Sequence, residues 1–175
     1  SQYTAFTRKS AALMDENGLI DQSFNFSQHN YGSPIADMAF LPDGKIMVGG
    51  QSTAQSTAGA QNALTKINTD GSVDTTFSLP IYNSPGAAYV VRVQPDGKIV
   101  VAGQFVGAGG LPRASIARFN PDGSPDAAFT PPGIPISTAI YDIELQPDGK
   151  MIVPVWAGSS GYTYRLNPNG TIDIT

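Results

Sequence analysis

Apolar residues recur along this chain in short runs, separated by tight clusters of Gly, Pro, Asn and Asp. Three runs read Met38-Ala39-Phe40-Leu41, Val91-Arg92-Val93-Gln94 and Ile143-Glu144-Leu145-Gln146, with apolar positions alternating with more variable ones. A period of two predicts a strand with one buried face. The runs that follow, Lys45-Ile46-Met47-Val48, Lys98-Ile99-Val100-Val101 and Lys150-Met151-Ile152-Val153, are apolar at successive positions. That pattern predicts a strand covered on both faces. Pro-Asp-Gly-Lys stands between the members of each pair, at residues 42–45, 95–98 and 147–150. Pro presets φ, Asp bonds its own backbone, and Gly takes a positive φ without a steric penalty. Asp43 with Gly44, Asp96 with Gly97 and Asp148 with Gly149 are therefore turn residues of three β-hairpins.

A second hairpin follows each first one. Its leading strand reads Leu64-Thr65-Lys66-Ile67, Ile116-Ala117-Arg118-Phe119 and Thr163-Tyr164-Arg165-Leu166. Its turn reads Asn68-Thr69-Asp70-Gly71, Asn120-Pro121-Asp122-Gly123 and Asn167-Pro168-Asn169-Gly170, with an earlier copy at Asp15-Glu16-Asn17-Gly18. Three residues after each turn Gly stands Asp: Asp21, Asp74, Asp126 and Asp173. Six residues after it stands Phe24, Phe77 or Phe129. The Pro-Asp-Gly-Lys turns are spaced by 53 and 52 residues. Four strands in a unit of this size make one blade of a β-propeller. The expected fold is thus all-β: a β-propeller-like repeat of four-stranded antiparallel blades in one repeat domain over 1–175. A half blade at 1–24 precedes blades at 25–77, 78–129 and 130–175.

These motifs resemble the delta-60 repeat family of predicted β-propellers. The likeness rests on the Pro-Asp-Gly-Lys hairpin, the Arg-containing strand, Asn-Pro-Asp-Gly and the Asp…Phe that follows. It covers nearly the whole chain and is closest over residues 90–129. The last copy departs from it: Pro154 and Val155 replace the Gly-rich strand end of Gly49-Gly50 and Ala102-Gly103, and Asn169 replaces a turn Asp. The resemblance implies exported bacterial proteins, often multidomain. A ring of four to eight blades needs more repeats than three and a fraction. The expectation is a partial propeller, read first as part of a larger ring and second as an open stack that associates edge to edge.

Composition sharpens this picture. Charged residues make up 14% of 175 residues, the net charge is −4, and no basic stripe appears. Nucleic acid and anionic membrane are not expected partners. No apolar run is long enough to span a bilayer. With no Cys, disulfides and thiolate chemistry are excluded. The single His, His29, sits in a polar loop without a nucleophile elbow, so no catalytic residue is assigned. The Gly-rich stretch at 107–110 is followed by Leu111-Pro112 rather than by a helix start, so it is a loop and not a phosphate cradle. A calcium site needs six to eight oxygens, more than one Asp beside a turn Gly supplies. No metal and no cofactor are expected.

Repeated residues belong to the scaffold, so function is expected where copies differ. The aromatics of the variable segments, Tyr31, Tyr82, Trp156 and Tyr162, are the candidate ligand-binding residues, suited to a glycan or a protein surface. The expected function is a non-enzymatic binding or structural module, extracellular or at the cell surface, with the periplasm as the other compartment. Its partner would be a protein, a neighbouring domain or a glycan. The alternative is a polysaccharide-acting hydrolase or lyase using Asp37, Asp142 or Glu144, which would need two carboxyl groups facing each other across a cleft.

Overall fold

The computed structural model describes residues 11–26, 35–51, 63–77, 81–82, 86–134, 138–157 and 160–175, with the backbone alone at 81, 82 and 157. Each Pro-Asp-Gly-Lys closes a three-residue loop. The Gly44 amide donates to the Leu41 carbonyl at 2.9 Å, the Leu41 amide to the Lys45 carbonyl at 2.8 Å, and Gly44 has φ +79°. This is a turn of the first kind followed by a left-handed residue, which returns the chain in register with its partner strand. The Asn-containing turns have the same bonds: the Gly123 amide donates to Asn120 at 2.9 Å and the Asn120 amide to Ser124 at 2.8 Å.

Three antiparallel sheets result. The first joins β1 (Ile35–Phe40), β2 (Ile46–Gly50) and β3 (Leu64–Ile67). A short β4 (Ile81–Tyr82) follows. The second sheet joins β5 (Ala87–Val93), β6 (Ile99–Gln104) and β9 (Ile116–Phe119). Between β6 and β9 lie β7 (Gly107–Ala108) and β8 (Leu111–Pro112); β7 pairs with both β4 and β8 in a small additional sheet that strand patterning does not predict. The Gly-rich loop thus contributes β7. The third sheet joins β10 (Glu144–Leu145), β11 (Met151–Ala157) and β12 (Ser160–Leu166).

The expected fourth strand of each blade is reduced to one bridge, Ile67 with Val73, Phe119 with Pro125 and Leu166 with Ile172. The cause is local. After Val73, Asp74 accepts bonds from the Thr76 amide at 3.0 Å and the Thr76 hydroxyl at 2.5 Å, and the Phe77 amide donates back to Asp74 at 3.2 Å. An Asp closing its own turn draws the chain off the ladder.

The sheets pack face to face, and the period of two assigns each side chain to one neighbour. On β2, Ile46 and Val48 face Phe24 and Phe26, whereas Met47 faces Ala88 and Val91 of the second sheet. On β6, Ile99 and Val101 face the first sheet, whereas Val100 and Ala102 face Ile140, Ile143 and Met151. Each fully buried side chain of this size contributes roughly 1.5–3 kcal/mol relative to exposure. The first two sheets approach most closely at β1, β2 and β5. These two sheets therefore meet through their first strands, as neighbouring blades of a propeller do.

Candidate functional site

The repeated Asp residues occupy equivalent places. Asp74 Oδ2 receives Lys45 Nζ at 2.9 Å. Asp126 Oδ2 receives Lys98 Nζ at 2.9 Å and Arg118 Nε at 2.8 Å. Asp173 Oδ2 receives Lys150 Nζ at 2.8 Å and Arg165 Nε at 2.6 Å. Asp21 Oδ1 accepts the Ser23 amide at 2.8 Å. The Lys of each first-hairpin turn thus reaches the Asp that ends the second hairpin of its own blade. Asp43, Asp96 and Asp148 each accept the amide two residues on at 3.1 Å.

These bonds set the acidities. The Thr76 hydroxyl, then Lys45, hold Asp74 down to about 2. Burial pushes Asp126 up, but Lys98, the Ala128 amide and Arg118 together outweigh it and leave the value lowered. Lys150 and Thr175 hold Asp173 well below the usual carboxylate range. Such groups are permanent anions that serve as anchors; none is poised to exchange a proton near neutral pH.

One copy differs. Arg118 donates to Gln94 Oε1 at 3.2 Å and to the Pro168 carbonyl of the next sheet, with its guanidinium 4.8 Å above Phe129. Lys66, at the same repeat position, lacks that reach and pairs with Asp43 at 3.4 Å. Beside it lies a cleft of about 360 Å³ walled by the turn residues Pro42, Asp43, Pro95, Asp96 and Pro121.

The four candidate aromatics do not form one site. Tyr31, like His29, lies outside the described residues, and Tyr82 is placed by its backbone alone on β4. Trp156 and Tyr162 sit on strands, not on a loop. In the hairpin of β11 and β12, Val155 pairs with Tyr162 and Trp156 with Gly161. Successive residues point to opposite faces, so the Trp156 and Tyr162 side chains leave the sheet on opposite sides. Trp156 is 63% exposed. Its ring lies over Gly161, where a Cβ would come within 3.1 Å of the ring. Tyr162 meets Tyr164 edge-on, centroids 5.3 Å apart.

The first strands bring together a set that single-residue reading did not find. Tyr89 and Tyr141 hold the same repeat position in successive blades, and their rings stack 5.0 Å apart at 19°. Tyr141 is 65% exposed. Burial, and then Tyr141, raise the Tyr89 phenol above its ordinary value. Beside them Arg92 donates to Asp37 Oδ2 at 2.5 Å, to Asp142 Oδ1 at 3.0 Å and to the Ile143 carbonyl at 2.9 Å. Asp37 Oδ2 also accepts the Val91 amide at 2.9 Å. One guanidinium therefore ties the first strands of all three blades. Two of the three suggested catalytic carboxylates share this one cation, and Glu144 is exposed on β10. The signal for the tyrosine pair was present in the spacing, since positions 36, 89 and 141 align.

Among the described residues no three metal-ligating side chains gather, and no helix is long and apolar enough to cross a membrane. The family model described as "Domain of unknown function (DUF5122) beta-propeller" matches residues 41–77, 94–129 and 146–175. The chain belongs to this family. Each matched stretch starts one residue before a Pro-Asp-Gly-Lys turn, and the delta-60 resemblance agrees with this family. No curated protein and no solved structure gave a significant match.

Proposed function

We propose that this propeller segment is a non-enzymatic binding or structural module of an exported bacterial protein. It acts outside the cell or at its surface, and its partner is a protein, a neighbouring domain or a glycan. The observation that carries this reading is the first-strand surface. There an exposed Tyr141 ring, backed by Tyr89, lies beside the Asp37–Arg92–Asp142 network. A flat aromatic face next to fixed charged acceptors suits stacking and hydrogen bonding. Asp37 and Asp142 are both engaged by the Arg92 guanidinium, an ion-pair network rather than two carboxyl groups facing each other across an open cleft, which weighs against a polysaccharide hydrolase.

Glycan-array binding and polysaccharide turnover, measured on the wild-type chain with Tyr141→Ala and Trp156→Ala, test the reading. Retention of a glycan that weakens at least tenfold in Tyr141→Ala supports a glycan partner at this surface. Release of new chain ends from a polysaccharide, abolished by Asp142→Asn, would overturn the non-enzymatic reading.

A further inference from the structure

The interface between the second and third sheets holds a guanidinium at its turn end. Arg118 Nε meets Asp126, and Arg118 Nη1 donates to Gln94 Oε1 of its own blade and to the Pro168 carbonyl of the next. The Phe129 ring lies 4.8 Å from the guanidinium. One planar fork thus spans the gap between two neighbouring blades.

Each of these positions has a counterpart one repeat earlier. Lys66 stands where the next copy has Arg118, Leu41 where it has Gln94, and Pro121 where it has Pro168. All three line the cleft of about 360 Å³ between the first and second sheets, a size within the range of small-molecule pockets. The Lys66 ammonium stops 3.4 Å from Asp43 and 5.7 Å from the ring of Phe77, the counterpart of Phe129. A lysine has no rigid fork with which to span two acceptors. Among the described residues the Pro121 carbonyl accepts no hydrogen bond, although its counterpart accepts Arg118. On the facing wall, Lys98 Nζ is held by Asp126, which leaves the Asp96 carboxylate without a cation among the described residues. The cleft therefore carries two carboxylates, Asp43 and Asp96, against the single ammonium of Lys66.

We infer that this cleft binds one guanidinium group, carried on an alkyl stem by a ligand from outside the chain. Its fork donates to the Pro121 carbonyl and to Asp96, as Arg118 donates to Pro168 and Gln94 in the sister interface. The stem packs on Leu41, which is apolar where the sister copy has Gln94. A compact ammonium satisfies acceptors as a point charge and lacks the fixed directions of the fork. An anion is repelled by both carboxylates. The cleft lies among the hairpin turns, apart from the Tyr141 surface, so the two readings stand or fall separately.

Titration of the isotope-labelled 175-residue chain with ethylguanidinium, followed at the Asp96 and Gly97 amides, tests the inference. Saturable shifts are expected at about millimolar concentration, with ethylammonium at least tenfold weaker. Asp96 is exposed, and an Asn oxygen can accept the Lys98 amide in its place. Asp96→Asn therefore keeps the turn and weakens binding at least tenfold. Lys66→Arg fills the cleft with the chain's own guanidinium and abolishes the shifts. Tyr141→Ala leaves them unchanged. Acetyl-arginine amide, titrated in parallel, separates the sources of the group. Tighter binding than ethylguanidinium supports the arginine side chain of a partner polypeptide, and weaker binding supports a small free guanidine. Absence of saturable shifts, or equal binding of ethylammonium, would overturn the inference. Undiminished binding by the Lys66→Arg or the Asp96→Asn chain would do the same.

Discussion

Asp126 carries much of the second blade's internal wiring. It is buried, and its carboxylate holds both Lys98 and the buried Arg118. Asp126→Ala leaves that guanidinium short of its counter-charge, and losing one partner of a buried pair costs roughly 3–5 kcal/mol. Asp43→Ala breaks a looser contact at an exposed turn, worth less than about 1 kcal/mol. Urea unfolding of the two variants at neutral pH should separate them clearly. The pH response follows from Asp74. Its folded-state value of about 2 lies below the ordinary 3.8, so ionised Asp74 favours the folded state. That contribution is full above about pH 4 and is lost as pH falls toward about 2. Wild-type stability should drop across this window, and Asp74→Asn should drop less; equal slopes would contradict the assignment. At this scale the sequence was partly legible. The recurrence of Asp and of Lys or Arg was plain, but the use of each turn Lys was not. Lys45 and Asp74 stand 29 residues apart, and only the folded pair of hairpins brings them together.

Elements fit one another through small, repeated contacts between blades. A Cβ on Gly123 would come within 2.5 Å of the Phe77 ring, and one on Gly170 within 2.9 Å of the Phe129 ring. The Phe that ends one repeat thus seats against the turn Gly of the next. Gly123→Ala adds this clash to the strain of φ +89°, for a cost of roughly 2–4 kcal/mol. Gly18 has φ +78° but nothing within 4 Å, so Gly18→Ala costs only about 1–2 kcal/mol. Thermal melts of the two variants would check the difference. Sequence patterning placed β2, β3, β6 and β9 well because each is a short apolar-rich run beside a recurring turn motif. It misplaced Trp156, since a Gly-poor strand end continued β11 through residues read as a loop. It also missed Arg92, which its sister repeats replace with Ala39 and Glu144, and whose partners Asp37 and Asp142 lie 55 and 50 residues away. Tyr89 and Tyr141 were recoverable by aligning the copies, because stacking between blades joins equal positions.

On the scale of the whole molecule, the middle sheet is the one covered on both faces along its length. Stability in stacked repeats is a sum of unit and neighbour contributions, and local opening follows local contact density. Hydrogen exchange should therefore be slowest at Val100 and Val101 of β6. It should be faster at Ile152 of β11, whose outward face meets no further blade among the described residues. Uniform protection across the three sheets would mean that the stack opens only as a unit. The fold class was legible from the repeat alone.

The contact of Phe77 with Gly123 has a consequence for how such chains change length. In both contacts a Phe knob at the end of one repeat fits a Gly hole in the second turn of the following copy. An unequal crossover that inserts or deletes a whole unit of 52 or 53 residues leaves every knob facing a hole. Blade number can thus drift by recombination without a compensating point mutation. Arg92, which its sister repeats replace with Ala39 and Glu144, marks where that freedom has been given up.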